Sequence, residues 1–320
     1  MMKRLMSIYL LIVILVIAGC TGPNNEMIES EGANGQDNEQ QISETALDYE
    51  GDGGFLWKVV HGETIMYVHG TIHLGHQDFY PLASGIEEAY EDADVILPEI
   101  NMFKVDLNEE EINEMALFED DTTLDDVLSE VSYAKLSEIF EAHEMTLADY
   151  NHFQPWFLGT LLNQISNEES ELAPEYGVDL YFLQRALEDN KEIVELETIE
   201  MQYEVLAGFN METQVQMLEG SIADHEETAS FLNQLGYNWV HGNDDAFKNQ
   251  LTEGFEDIDE KYQQAINDTR NLHMANKLDE ILQTDDGQTY FVIIGAAHVM
   301  IEPSVPGELE KKGYELERIY

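Results

Sequence analysis

The sequence predicts a mixed α/β (α+β) fold: a small mixed sheet built from both chain ends, with a large helical middle folded over it. Three observations predict it. Thr64–Val68 is an apolar run that leads into Gly70 and then His73, and Phe291–Ile294 leads into Gly295 and then His298 at the same offset. Strand, helix, strand over Thr64–Leu97 is the unit that makes a parallel sheet. From about Asn108 to Asp285 the apolar residues recur mostly with helical period.

The elements follow in order. Lys3-Arg4 and the apolar Leu5–Ala18 read as a signal peptide, and Ile17-Ala18-Gly19-Cys20 resembles a bacterial lipobox. Residues 1–20 are therefore expected to be a lipoprotein signal peptide with its lipobox. A lone cysteine in an exported chain makes no internal disulfide, so lipidation gives Cys20 a purpose. The expected location is exported and lipid-anchored, at the outer side of the cell membrane. Residues 21–52, rich in Gly, Asn, Gln, Glu, Ser and Asp, cannot bury enough surface to fold and read as a disordered acidic tether. The folded domain is expected over 53–320.

Phe55–Val60 and Thr64–Val68 read as a hairpin across the Gly62 turn. A helix from Ser84 to Asp92, with Ser84 as cap, precedes the strand Asp94–Leu97. In the middle, helices are expected over Leu124–Val131, Tyr133–His143, Trp156–Asn167, Val178–Asp189, Ile199–Asn210, Glu226–Val240, Asp244–Glu253 and Ile258–Leu282. One strand, Glu192–Leu196, interrupts them. After Tyr290–Ile294 come a helix near Gly307–Lys312 and an extended run, Tyr314–Ile319.

The charge excludes one class of partner. Fourteen Lys and Arg against 66 Asp and Glu give −52, which repels phosphates, so no nucleic acid is expected. The acids are spread along the chain, which suits halophilic adaptation: in molar salt the Debye length is about 3 Å and the self-repulsion is screened. An acidic face for a cationic partner is the other reading.

Four side chains stand directly after apolar runs: His73, His298, Glu99 after Val95–Leu97, and Glu197 after Ile193–Leu196. A single histidine at a strand end is usually a hydrogen-bonded structural residue, and an acid there is usually solvated. The repetition changes the weighing, because α/β sheets gather ligands at the carboxyl ends of their strands. Gly70 and Gly295 let the backbone turn and approach closely. Two imidazoles and two carboxylates can bind a divalent metal or share acid–base work. Arg270 is one of four arginines and could orient a carboxylate or hold an oxyanion, although an ion pair is the plainer reading. Gly-x-Ser-x-Gly, His-Glu-x-x-His and P-loop patterns are lacking.

Several stretches in order resemble the TraB/PrgY/GumN family, which is related to the Tiki metalloproteases. They are Tyr67–Gly75, Glu99, Gln154-Pro155-Trp156, Gly177-Val178-Asp179, Val194–Gln202, Arg270-Asn271 with Met274-Ala275, and Ile294–His298. The resemblance implies an erythromycin-esterase/ChaN-like fold over most of 55–320. It also implies an active centre containing His73, His298, Glu99 and Glu197, with Arg270 nearby. The chain departs from the family at Gln154, where Lys is usual, and at Glu302-Pro303, where a Gly commonly follows the final His.

The expected function is a membrane-tethered, extracytoplasmic, metal-dependent hydrolase, a peptidase acting on a peptide or protein. His73 and His298 would bind Mn or Co, ahead of Zn, together with Glu99 or Glu197. The other carboxylate would take the proton from the metal-bound water, and Arg270 would steady the oxyanion. The alternatives are a non-catalytic, inhibitory peptide-signal binder of the pheromone-shutdown type, and a metal-free hydrolase with a His base.

Overall fold

The computed structural model describes residues 47–104, 109–253 and 260–320. The expected signal segment with Cys20, and the expected tether up to residue 46, lie outside the described residues. Leu47 and Tyr49, which the sequence reading assigns to the tether, pack against the folded body. Among the described residues, no helix is long and apolar enough to cross a membrane.

The chain opens with the hairpin β1 (Phe55–His61) and β2 (Thr64–Thr71). Its two-residue turn places Gly62 at φ +57°, a left-handed conformation that favours glycine. Helix α1 (Ser84–Asp92) leads to β3 (Val95–Pro98). Ser84 is the first helical residue and not the cap; Ala83 takes the cap position, and Glu87 Oε1 accepts the Leu82 N–H instead.

The middle contains α2 (Glu109–Ala116), α3 (Leu124–Val127), α4 (Glu130–Ala142), α5 (Pro155–Glu168) and α6 (Val178–Glu188). Where one helix is expected over Leu124–Val131, the chain breaks at Leu128-Ser129, because the Ser129 hydroxyl caps α4 through the Ser132 N–H. Strand β4 is only Glu192–Ile193; Val194 is already half-exposed, at the edge of the sheet. Helices α7 (Ile199–Ala207), α8 (Met211–Val240) and α9 (Asp244–Glu253) follow. Helix α8 is twice as long as the expected Glu226–Val240. Next come α10 (Glu260–Gln263), a π turn (Gln264–Asp268) and α11 (Thr269–Thr284), where the sequence suggests one regular helix. The chain closes with β5 (Thr289–Gly295), α12 (Ala296–Met300), α13 (Val305–Lys311) and β6 (Leu316–Arg318).

The sheet has the order β4-β3-β5-β2-β1-β6. β4, β3, β5 and β2 are mutually parallel, while β1 and β6 add antiparallel edges. β5, from one end of the sequence, therefore lies in the middle, and its side chains are buried over six consecutive residues, as a strand covered on both faces requires. Phe291 alone, fully buried, is worth about 2–3 kcal/mol.

Two apolar clusters result. One wraps the sheet, and the other fills the helical layer among α2, α3, α4, α5, α7 and α8. Helix α8 joins them. Near its start Gln214 donates to the Gln154 Oε1 at the head of α5, and near its end the Trp239 indole N–H donates to the Gly70 carbonyl at 2.9 Å.

Candidate active site at four strand ends

The parallel register decides where the strand-end residues go. Gly70 pairs with Ile294 and Thr71 with Gly295, so β2 and β5 discharge side by side and bring His73 and His298 to one edge. On the other side of β5, Pro98 pairs with Ile293, and the Glu99 N–H donates to the Ile293 carbonyl. The Glu197 N–H in turn donates to the Glu99 carbonyl at 2.7 Å. All four residues are thus neighbours in the order Glu197, Glu99, His298, His73.

Neither Gly70 nor Gly295 has a positive φ; close approach explains both. A Cβ on Gly70 would come within 2.4 Å of Val299 Cγ2. One on Gly295 would sit 3.3 Å from Glu99 Oε1, 3.5 Å from His73 Nε2 and 3.7 Å from His298 Cδ2. Gly295 lies at the centre of the cluster, and its hydrogen leaves that space to the functional atoms.

Each imidazole is oriented from behind. His298 Nδ1 is 2.5 Å from Asn271 Oδ1, and the Asn271 amide donates to the Pro303 carbonyl at 2.7 Å. Asn271 Oδ1 is therefore the acceptor, the proton is on Nδ1, and Nε2 carries the lone pair. Burial pushes the His298 ring down to about 4, against the opposing pull of Glu99, so it is neutral near pH 7. His73 Nδ1 lies 3.1 Å from Asp179 Oδ1, an ionic contact rather than a straight hydrogen bond. Burial alone would lower the His73 ring; the charges of Asp179 and Glu99 outweigh it, and Arg270, and raise it.

Arg270, two residues past the π turn, is buried between the two acids. Its Nε and one terminal nitrogen donate to Glu197 at 2.7–3.1 Å, and the same terminal nitrogen reaches Glu99 Oε2 at 2.8 Å. The other terminal nitrogen donates to the Ile266 carbonyl. Glu99 Oε1 accepts the Gly295 N–H at 2.5 Å. Burial would raise the Glu99 carboxyl, but His298, Arg270, His73 and that N–H together hold it down to about 2. Glu197 is 1% exposed and spends both oxygens on Arg270, with Gln202 Nε2 at 3.3 Å.

His73, Glu99, Arg270, His298, Asp179 and Gln202 line one cavity of about 110 Å³, whose other walls are mostly apolar, among them Leu232, Leu235 and Phe247, with Thr71 and Asn267 the further polar residues. Glu197 supports this set from behind and does not line the cavity.

The donor chemistry fits a divalent ion. With His298 neutral, its Nε2 lone pair faces Glu99 Oε1 at 3.6 Å, and two facing acceptors need a proton donor or a cation between them. Donors around a tetrahedral zinc-type ion are separated by about 3.4 Å, close to that spacing. His73 Nε2 adds a third lone pair across Gly295 and stands farther back. Among the described residues, the His/Asp/Glu trio with donor atoms all within 4.8 Å of one another is elsewhere: His143, Glu169 and His225.

Sequence reasoning gave Asp179, Asn271 and Gln202 no role. Asp179 and Asn271 stand in the quoted Gly177-Val178-Asp179 and Arg270-Asn271 stretches, which is the signal that could have found them. His69, left out of the expected core set, is indeed apart from the cavity. It is fully buried, with Nδ1 on the Phe55 carbonyl and its ring against Phe182, Trp239 and Phe291.

A family model described as the TraB/PrgY/gumN family matches residues 55–318. The chain is 23% identical over 249 residues to the uncharacterized protein YbaP of Escherichia coli (strain K12), covering 77% of this chain and 88% of the relative. It is similar to the same extent to YbaP of Shigella flexneri. An uncharacterized protein of Treponema pallidum (strain Nichols) is 24% identical over 190 residues, covering 57% of this chain and 54% of its own. No solved structure matches.

Proposed function

The chain belongs to the TraB/PrgY/gumN family, and from that premise we propose that it is a metal-dependent hydrolase with peptides as its substrate class. The observation that carries this reading is His298, with Nδ1 held by Asn271 and Nε2 3.6 Å from Glu99 Oε1, in the cavity that His73 also lines. His73 and His298 through Nε2, and Glu99 through Oε1, would hold the ion, Mn or Co ahead of Zn. When bound, such an ion supplies Lewis acidity and lowers the pKa of water toward neutrality.

The chain's own residues do the positioning. Asn271 holds the His298 ring and keeps its proton on Nδ1, and the Asp179 carboxylate faces His73 Nδ1 from behind. Arg270, charged between Glu99 and Glu197, keeps Glu99 ionised and fixes its Oε2, so that Oε1, which also accepts the Gly295 N–H, is the oxygen left to serve the cavity with its second lone pair. The apolar wall excludes water around the scissile bond and strengthens every charge interaction within. Glu197, with both oxygens on Arg270, is assigned positioning and no proton transfer.

A second reading is favoured by the His73–Asp179 contact and by the set-back of His73. Here hydrolysis needs no ion, and His73, raised by Asp179, takes the proton from water as general base. The lipobox-like run before Cys20 supports placing the domain outside the cell membrane on a lipid anchor, with 21–52 as spacer.

The test measures metal content and peptide cleavage together, in high salt, on protein beginning after Cys20, before and after chelation and with Mn, Co or Zn restored. The proposal expects stoichiometric metal that is lost in His298→Ala, and activity that returns with the ion. Turnover indifferent to chelation but abolished in His73→Ala would replace it with the second reading. Tight peptide binding without turnover in metal-replete protein would make the chain a binder and sink both.

A further inference from the structure

Away from the cavity, the helical layer brings three potential ligands together from three helices. Both α4 and α5 end there: His143 is the C-terminal cap residue of α4, and Glu169 is that of α5. His225 comes from the middle of α8 and is buried. One donor atom from each of the three lies within 4.8 Å of the other two.

Two details of this trio are those of a cation site. His143 Nε2 is 3.9 Å from Glu169 Oε1, too long for a hydrogen bond but near the roughly 3.4 Å edge of a zinc-type tetrahedron. His225 Nδ1 is 2.8 Å from Ser166 Oγ, whose own hydrogen is engaged by the Leu162 carbonyl at 3.0 Å. The ring therefore donates from Nδ1 and keeps its lone pair on Nε2, the arrangement by which a partner behind a ligating histidine fixes its tautomer.

The surroundings agree with this. Two helix C-termini converge on the trio, each the negative end of its dipole, in a chain whose overall charge already attracts cations. Lys135 on α4, the cation facing α8 here, has its Nζ occupied by the Ala223 carbonyl at 3.3 Å.

We propose that His143, Glu169 and His225 form a second metal site, for a zinc-class dication, that clamps α4 and α5 onto α8. Three protein ligands leave a coordination position for water on the side where Glu169 is half-exposed. The site is independent of the hydrolytic reading.

The experiment strips the full chain of metal and titrates it with Co2+, followed by visible absorbance, and with Zn2+, followed by thermal unfolding. It uses wild type, His143→Ala, Glu169→Gln and, as control for the cavity, His298→Ala. His143 and Glu169 are partly exposed, so their variants are expected to unfold at the wild-type temperature without metal. Wild type and His298→Ala should then share one saturable equivalent that raises the unfolding temperature. In His143→Ala and Glu169→Gln its affinity should fall about tenfold or more. Equal uptake and equal thermal shift in His143→Ala and wild type would overturn the proposal. So would a wild-type chain with no saturable site beyond the one lost in His298→Ala. Peptide cleavage unchanged in His143→Ala would show that the two sites fail or stand separately.

Discussion

His69 makes acid stability a quantitative test of the fold. Its ring is fully buried among Phe182, Trp239 and Phe291; Nδ1 donates to the Phe55 carbonyl at 3.0 Å, and Nε2 has no partner. Burial pushes the ring down to about 4 in spite of that hydrogen bond. In the unfolded chain the ring titrates near 6.5, so between the two values only the unfolded state takes up the proton. The stability involved is complete above pH 6.5, is lost as pH falls, and stops declining once the folded ring also protonates near 4. Linkage over these values gives a loss of about 2 kcal/mol at pH 5 and roughly 3 kcal/mol at pH 4 and below.

The perturbation is His69→Phe, which keeps the ring, removes the titration and leaves the Phe55 carbonyl without its donor at a cost of about 1 kcal/mol. Unfolding temperature is measured for both proteins from pH 7.5 to 3.5 at fixed high salt. At pH 7.5 the variant should be slightly less stable; by pH 5 the order should reverse. The swing between the two is expected to reach about 6–12 °C at pH 4. All other acid-sensitive groups are common to the pair, so their effects cancel. A difference that stayed constant across the range would refute the buried neutral ring, and with it the placement of His69 in the core.

Three further outcomes are expected. Arg270→Met leaves Glu99 and Glu197 buried without their cation and should cost about 3–5 kcal/mol in denaturant unfolding at pH 7, while the double variant with Glu197→Gln should recover part of that loss. Gly295→Ala places a methyl 3.3 Å from Glu99 Oε1 and 3.5 Å from His73 Nε2; it should keep the fold by circular dichroism yet lose at least about tenfold in peptide cleavage, since small misplacements of reacting groups are costly. Cys20→Ser, made in the full precursor, should move the protein from the membrane fraction to the soluble one; retention in the membrane would argue for an uncleaved signal anchor.

How much of this could be read from the sequence depended on how loudly each residue was framed. Gly70, His73, Gly295 and His298 follow unmistakable apolar runs, and the parallel pairing of β2 with β5 makes them neighbours as expected. The order β4-β3-β5-β2 was not legible, because strand neighbours depend on crossovers that the sequence does not encode locally. The first half of α8 escaped notice because its buried face carries Thr213, Gln214, Ser221 and His225, which blur the apolar period. The regular strand β4 is only Glu192–Ile193, yet the Val194 and Leu196 N–H groups still donate to the Ile96 and Pro98 carbonyls, so the expected run Glu192–Leu196 keeps its register beside β3 past the end of the strand. For Arg270 the residues alone favour an ion pair, but which acids it pairs with was not legible; the structure buries it against Glu197 and Glu99.

The central place of β5 has a consequence for the order in which the site is assembled. Strands β1 to β4 leave the ribosome before it, yet β2 and β3 have no contact across the sheet until β5 slides between them. His73 and Glu99 are thus on opposite banks of an open gap in any unfinished chain, and His298 arrives only with the strand that closes it. A nascent or truncated product that lacks β5 therefore cannot bring the four strand-end residues together.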